Sequence, residues 1–555
     1  MQSFLSRSAI SKVYAAILAI IIIVAIIVGS LYAAGYFKTT SSTTPSVTRV
    51  LRVSQSTPWT IDPAVGSDLA SSDAIINLYD PLVWPETVAE GSGVKPWIAT
   101  SWTTSADGLT WTFTIRQGVY FHSGIELNAT DVAWSMNRLV TMGEGYSYLF
   151  APYIVSANAT SEWTVVFTLN KVYAPFLLSL VRFWILDSET VIEHEVAGSY
   201  GSNGDYGAAW LETADAGSGP FMVKENSPES VLDMTFFSKY WGYVAPDHPT
   251  EYYIVAEPAA TTEISMMDTD TLEISSPWLS DLQYEQLNGT NGIYIANIPE
   301  PNEYYYMMNT KIAPLDDVHV RMALAYCLNY TGLISELYPL SPVSTSCVPA
   351  SVAGYIDCSP YYYNVTMAKY ELSLSKYADN ISDYPIDFDW ISSVPVRELD
   401  AEYFASCAAA IGITVNVISE PWTSFEQAVA TIATTPAMSN VEVDSDYTEA
   451  GSLLTARYSS ASMGTWEQAE WLNDSTFDNM LNTALGTTNQ TQRYALYAEC
   501  QEYIMTICPS MFIYDYSTIC AVQSYVNWPM ALNVSNSVPS MGYNFDGRLI
   551  QIMPH

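Results

Sequence analysis

The longest apolar stretch of the chain, Val13 to Phe37 (VYAAILAIIIIVAIIVGSLYAAGYF), runs for 25 positions without a charge. As a helix rising 1.5 Å per residue it is about 37 Å long, enough to cross a bilayer. It exceeds an ordinary secretory apolar region, so the pattern predicts a retained anchor at 13–37 behind a short n-region at 1–12. Arg7 and Lys12 precede it, and the positive-inside bias puts the bulk of the chain outside the cell. Lys38 to Thr48 (KTTSSTTPSVT) loses the apolar period and reads as a Ser/Thr-rich stalk, 38–48. After it, Val50-Leu51-Arg52-Val53 predicts a short strand, followed by a polar loop, Ser56 to Pro63, with prolines at 58 and 63. Asp107-Gly108 signals a turn, and Trp111, Phe113 and Ile115 then alternate with Thr110, Thr112 and Thr114, the period of a half-buried strand. A helix is expected from about Ala129, with Asn128 as its cap and Asp131 in its first turn. Another is expected through Val320, Ala323, Leu324, Cys327 and Leu328, with Asp316 as the cap.

Of 555 residues, 58 are Asp or Glu and 20 are Lys or Arg, a net charge of -38 with 14% charged residues. Acids are present at an ordinary share and bases are missing, which excludes nucleic-acid binding, since that needs clustered Lys and Arg. The deficit points to an acidic exterior, where protonated carboxyls make every remaining cation a source of self-repulsion. The flank Arg7 to Lys12 resembles the pilin-like signals of archaeal surface proteins, with cutting expected between Ala9 and Ile10. Nine Asn-X-Ser/Thr sequons support surface exposure. Asn329 is among the nine, Asn128 is needed as a cap, and the glycosylation candidates are Asn158, Asn288, Asn364, Asn380, Asn473, Asn489 and Asn533. Among seven cysteines, Cys347 and Cys358 flank the loop CVPASVAGYIDC and are the disulfide candidate, whereas Cys327, Cys407 and Cys500 fall in helical patterns as small buried residues.

One long pattern runs without gaps through Ala99 to Trp102, Asp107 to Phe113, Ile115 to Val119, Phe121 to Gly124 and Leu127 to Val132. It continues in order with Gly217 to Phe221, Lys239 to Gly242, Asn309-Thr310, Pro314 to Val318, Val320 to Leu324, Thr476 to Leu481 and Arg493 to Tyr497. The series resembles the extracellular solute-binding proteins of family 5, the oligopeptide- and dipeptide-binding receptors of ABC importers. The resemblance implies an α/β, two-lobe periplasmic-binding-protein-like fold of the large type II-like kind. Lobe one would hold 48–298 and 517–555, with an extra subdomain near 86–205; lobe two would hold 303–516, and the hinge would lie at 297–302 and 514–516. It implies a receptor, not an enzyme, with no cofactor: a single-pass membrane protein that closes on oligopeptides or dipeptides outside the cell and delivers them to a permease with separate ATPase subunits.

In that family an acid opening a lobe-two loop accepts the peptide α-amino group. Ser445 to Leu454 resembles this loop, with Asp446 in the acid's place and Tyr447 beside it, although Val443 and Ala450 replace the usual Trp and Pro, and Asp444 stands a two-residue slip away. A carboxylate facing an ammonium in a dry cleft makes a strong, charge-assisted hydrogen bond. Trp59 and Thr60 belong to the loop that lines the lobe-one wall in relatives. Trp422 and Trp390 are further aromatic candidates, and Arg397 and Arg457 are the candidates for a ligand carboxylate. The five histidines show no metal-ligand spacing, His122 belongs to the strand signature, and no nucleophile or phosphate-loop motif is present. Aromatic richness keeps an oligosaccharide ligand open. An acid hydrolase built on paired carboxylates and a structural surface-layer protein are the more distant readings.

Overall fold

The computed structural model describes residues 48–358 and 361–555. The expected anchor at 13–37, the n-region and nearly all of the stalk lie outside the described residues, among which no helix is long and apolar enough to cross a membrane. Residues 49–555 form one compact unit with the mixed α/β architecture of two lobes.

The first lobe is organised by a four-stranded sheet in the order Val50–Gln55, Glu251–Ala256, Val231–Phe236 and Phe221–Ser227. The first two strands run parallel and the rest antiparallel. Leu51, Val53, Leu232, Met234, Tyr252 and Ile254 are excluded from solvent and form its inner face. A second, antiparallel four-stranded sheet joins Ala99–Thr104, Thr110–Ile115, Thr164–Leu169 and Ile154–Ser161. There Phe113 and Ile115 are buried and Thr114 is exposed, as the alternation requires. The adjoining helix, Ala129–Met142, opens with a full capping box: Asn128 accepts from the first turn and Asp131 accepts from the Asn128 N–H. His122 is held between Asp215 and the Gly219 carbonyl, a structural role.

The second lobe is a five-stranded sheet in the order Val415–Glu420, Ile386–Ile391, Met438–Asp444, Tyr294–Met308 and Ser510–Val522. Its last two strands are long enough to serve both lobes. Tyr294 to Pro299 pairs with Val522 to Ser517 on the first-lobe side, and Glu303 to Met307 pairs with Asp515 to Ser510 on the other. Between Pro299 and Glu303 the register shifts, so the ladder is interrupted there. Against this sheet packs the helix Val318–Cys327, whose cap is Asp317 and not the expected Asp316. The Asp316 carboxylate is taken instead by Lys376 and Tyr377.

Cys327 and Cys500 are buried in helices as expected, and Cys407 is partly buried. The expected Cys347–Cys358 bridge is not formed, and both sulfurs are thiols. Cys347 is fully buried with its carbonyl accepting from Arg457, while the Cys358 thiol lies against Ser346 and the Ile356 carbonyl. Of the sequon asparagines, 158, 288, 380, 473, 489 and 533 are exposed and Asn364 is partly so.

Candidate functional site

Between the lobes lies a cavity of about 1270 Å³, larger than the roughly 300–1,000 Å³ typical of sites for drug-sized ligands. Its position is set by strand direction. Val50–Gln55 and Glu251–Ala256 run parallel in one lobe and end at the lining segments Ser56–Thr60 and Glu257–Ala260. Ile386–Ile391, Val415–Glu420 and Met438–Asp444 run parallel in the other and end at Ile391–Arg397, Pro421–Thr423 and Asp444. Crevices at the carboxyl ends of parallel strands are where open α/β sheets bind ligands.

The lobe-one wall is held rigidly. Arg138 grips Asp62 through two hydrogen bonds of 2.7 and 2.6 Å, both side chains being buried. Thr60 donates its N–H to Ser71 Oγ and Trp59 its indole N–H to Asn226, so the loop Ser56–Asp62 is tied at several points. On the opposite wall Trp422 and Trp466 meet edge to face at 5.3 Å.

Acids dominate the lining: Asp68, Glu212 and Glu257 on lobe one, Glu426, Glu442 and Asp444 on lobe two. Among the described residues Arg397 is the only basic one that lines it, and its guanidinium is paired with Glu442. Asn302, in the interlobe crossing, donates to Asp444 Oδ2 at 2.8 Å, while its own buried Oδ1 has no donor. Burial, and then the neighbouring Asp446, push Asp444 up to about 7 against the pull of Arg182. Glu257 is pushed up to about 7 by burial and by Glu263, and Glu426 is raised by desolvation and by Asp68 across the cleft.

Comparison with known proteins identifies this arrangement. The model of the bacterial extracellular solute-binding proteins, family 5, matches residues 93–465. The chain belongs to this family. It is a substrate-binding receptor of the kind that serves ABC importers. Heme-binding protein A of Haemophilus influenzae is 27% identical to the receptor, over 78% of this chain and 80% of that protein. The probable D,D-dipeptide-binding periplasmic protein of Escherichia coli is 26% identical over 86% of this chain and 91% of its own. The solved periplasmic binding protein of Helicobacter pylori in complex with the peptide STSA has the same fold, with a TM-score of 0.78 at 22% identity, covering 91% of this chain and 98% of that one.

The residues singled out in the receptor's sequence divide into those on the cavity and those behind it. Trp59, Thr60, Trp422 and Arg397 line the cavity. Asp446 does not. It is almost wholly buried just beyond the cavity, where Tyr148 from the first lobe donates to Oδ2 at 2.7 Å and Ser452 at 3.1 Å. Arg182, also from the first lobe, donates to the Asp446 and Met541 carbonyls at 2.9 and 2.7 Å, with one further nitrogen left without an acceptor. Burial raises Asp446 in spite of Arg182, Tyr148 and Ser452. Tyr447 is buried too, its hydroxyl accepting from Tyr173. Arg457 is fully buried, paired with Glu303 and stacked 3.6 Å over Tyr305, so it has no path to a ligand. Trp390 is buried and does not line the cavity. The motifs did not point to Asp68, Glu257, Asn302, Glu426 or Trp466. Asp68 alone carried a signal, as the cap preceding the apolar helix Leu69–Leu78.

Proposed function

We propose that the receptor captures oligopeptides or dipeptides in the interlobe cavity by lobe closure and passes them to a membrane permease driven by separate ATPase subunits. The observation that carries this reading is the cavity itself: enclosed by both lobes at their strand ends, walled by indoles, and furnished beside Asn302 and Asp444 with acceptors suited to an ammonium. The dipeptide-binding relatives support it. The test is calorimetry of the full-length protein against peptides and neutral sugar oligomers. Binding of peptides is the expected result, and a response to sugars alone would replace this reading with the oligosaccharide one.

We propose further that the receptor stays on the membrane through Val13–Phe37, of the archaeal kind that its n-region resembles, with the binding unit facing an acidic exterior. The uncharged run, the missing bases and the exposed sequon asparagines support this. Membrane fractionation with N-terminal sequencing checks it; a mature chain beginning beyond Phe37 would refute it.

A further inference from the structure

We infer that the cavity is built for a ligand of net positive charge, an oligopeptide carrying Lys or Arg side chains. This deepens, and rests on, the reading of the cavity as the peptide site.

Six carboxyls line the cavity and one guanidinium faces them, already neutralised by Glu442. The acids stand on both walls, so near neutral pH, where they ionise, closing the lobes brings like charges together, and in a more acidic medium protonation removes that repulsion. Asp68 on lobe one is felt by Glu426 on lobe two. A cation between such walls turns this repulsion into attraction, and closure becomes coupled to the ligand's charge. The uncharged parts of the wall agree with this chemistry. Asn302 is nine-tenths buried and spends its amide N–H on Asp444, which leaves its Oδ1 as an acceptor without a donor. That atom is shut from the cavity surface, so the acceptor offered to an ammonium or guanidinium here is the neighbouring Asp444 carboxylate, which takes the Asn302 N–H on Oδ2. The indoles of Trp422 and Trp466 offer faces on which a cationic side chain is held by the ring quadrupole. For an anionic ligand the lining has no free counter-charge, and a peptide's C-terminal carboxylate is best placed toward solvent.

The decisive experiment is calorimetry on the full-length protein near neutral pH with Ala-Lys-Lys-Ala, Ala-Ala-Ala-Ala and Ala-Glu-Glu-Ala, together with a glucosamine tetramer and a glucose tetramer. The lysine peptide should bind at least about 10-fold more tightly than the alanine peptide, and the glutamate peptide more weakly than either. Raising salt from about 0.05 to about 0.5 M should shrink that advantage. Glu426→Gln should reduce the lysine-to-alanine affinity ratio; Asp68→Asn, which keeps a capping side chain, should do the same. Lysine and alanine peptides within about two-fold of one another would overturn the inference, given that a well-placed charge pair in a cleft exceeds that factor. If no tetrapeptide binds but the cationic glucosamine tetramer outbinds the glucose tetramer, the charge inference stands and the peptide reading falls. If the glucose tetramer binds as well as or better than the cationic one, both fall.

Discussion

Asp444 and Asp446 stand two residues apart at the end of one lobe-two strand, yet they occupy different environments. Asp446 is enclosed by the opposite lobe: Tyr148 donates to its carboxylate and Arg182 to its carbonyl. Asp444 has Asn302 at its side and the open cavity in front. At the first position protein donors satisfy the carboxyl. At the second, acceptor capacity is left unused. The dry seam therefore favours closure by itself, whereas the acidic cavity opposes closure until something cationic fills it. A receptor needs both, because a seam without the cavity's penalty would shut on nothing.

The largest expected effect, from pH, tests whether the acids on both sides behave as one excess. Burial is the leading cause that pushes Glu257 and Asp444 up to about 7 and Asp400 and Asp546 up to about 6. In the unfolded chain such groups titrate near 4. The folded state thus holds more protons between about pH 4 and about 7, and stability is lost as pH rises through that window. Asp215 acts in the opposite sense: despite its burial, His122 and backbone donors hold it below the usual range, so its contribution is lost in stronger acid. Thermal melts should show the highest midpoint in mild acid and a fall toward neutrality; a midpoint that rises steadily to pH 7 would break the comparison.

Next in size is Arg182→Met, which leaves the Met541 carbonyl without its donor and the Asp446 carbonyl with Ser540 alone. Each buried acceptor so orphaned costs about 1–3 kcal/mol. Chemical denaturation should report the loss, and a change below about 0.5 kcal/mol, the range of ordinary surface substitutions, would show that the seam is not held there. Tyr148→Phe is milder: removing one hydrogen bond to a charged group costs the closed state about 1.5–3 kcal/mol. Calorimetry should report this as weaker affinity for a lysine peptide, and an unchanged affinity would show that the Tyr148 contact does not favour closure. The smallest expected change is for Trp422→Leu on the cavity wall, about 0.5–1 kcal/mol of ligand affinity through a lost cation–aromatic contact. Calorimetry with a lysine peptide measures it, and an equal loss with an alanine peptide would reassign the indole to packing alone.

Local features of this fold were legible because local physics decides them. The Asn128–Asp131 capping box and the alternation at Thr110–Ile115 depend on residues within a few positions of each other. The Asp316 cap failed by one residue because Lys376 and Tyr377, far along the chain, claim that carboxylate. Where each candidate site residue sits depends on distant partners in the same way. Which arginine meets a ligand turns on where its acid lies: Glu303 buries Arg457 completely, while Glu442 holds Arg397 at the cavity edge. The charge of the whole chain was read from composition as a property of the surroundings. That the acids also converge on one cavity depends on strand ends from both lobes, which no local motif reports.

The long strand Ser510–Val522 also governs the order in which the receptor can be made. The sheet that begins at Val50–Gln55 is completed only by contacts from residues C-terminal to this strand. Gly547 donates to Asn77, Asn77 to the Phe545 carbonyl, Ala245 to the Arg548 carbonyl, and Trp528 is wholly enclosed. During vectorial synthesis the N-terminal half therefore waits, without its final partners, until nearly the entire polypeptide has emerged. Such a chain seals its first sheet only when its last residues arrive.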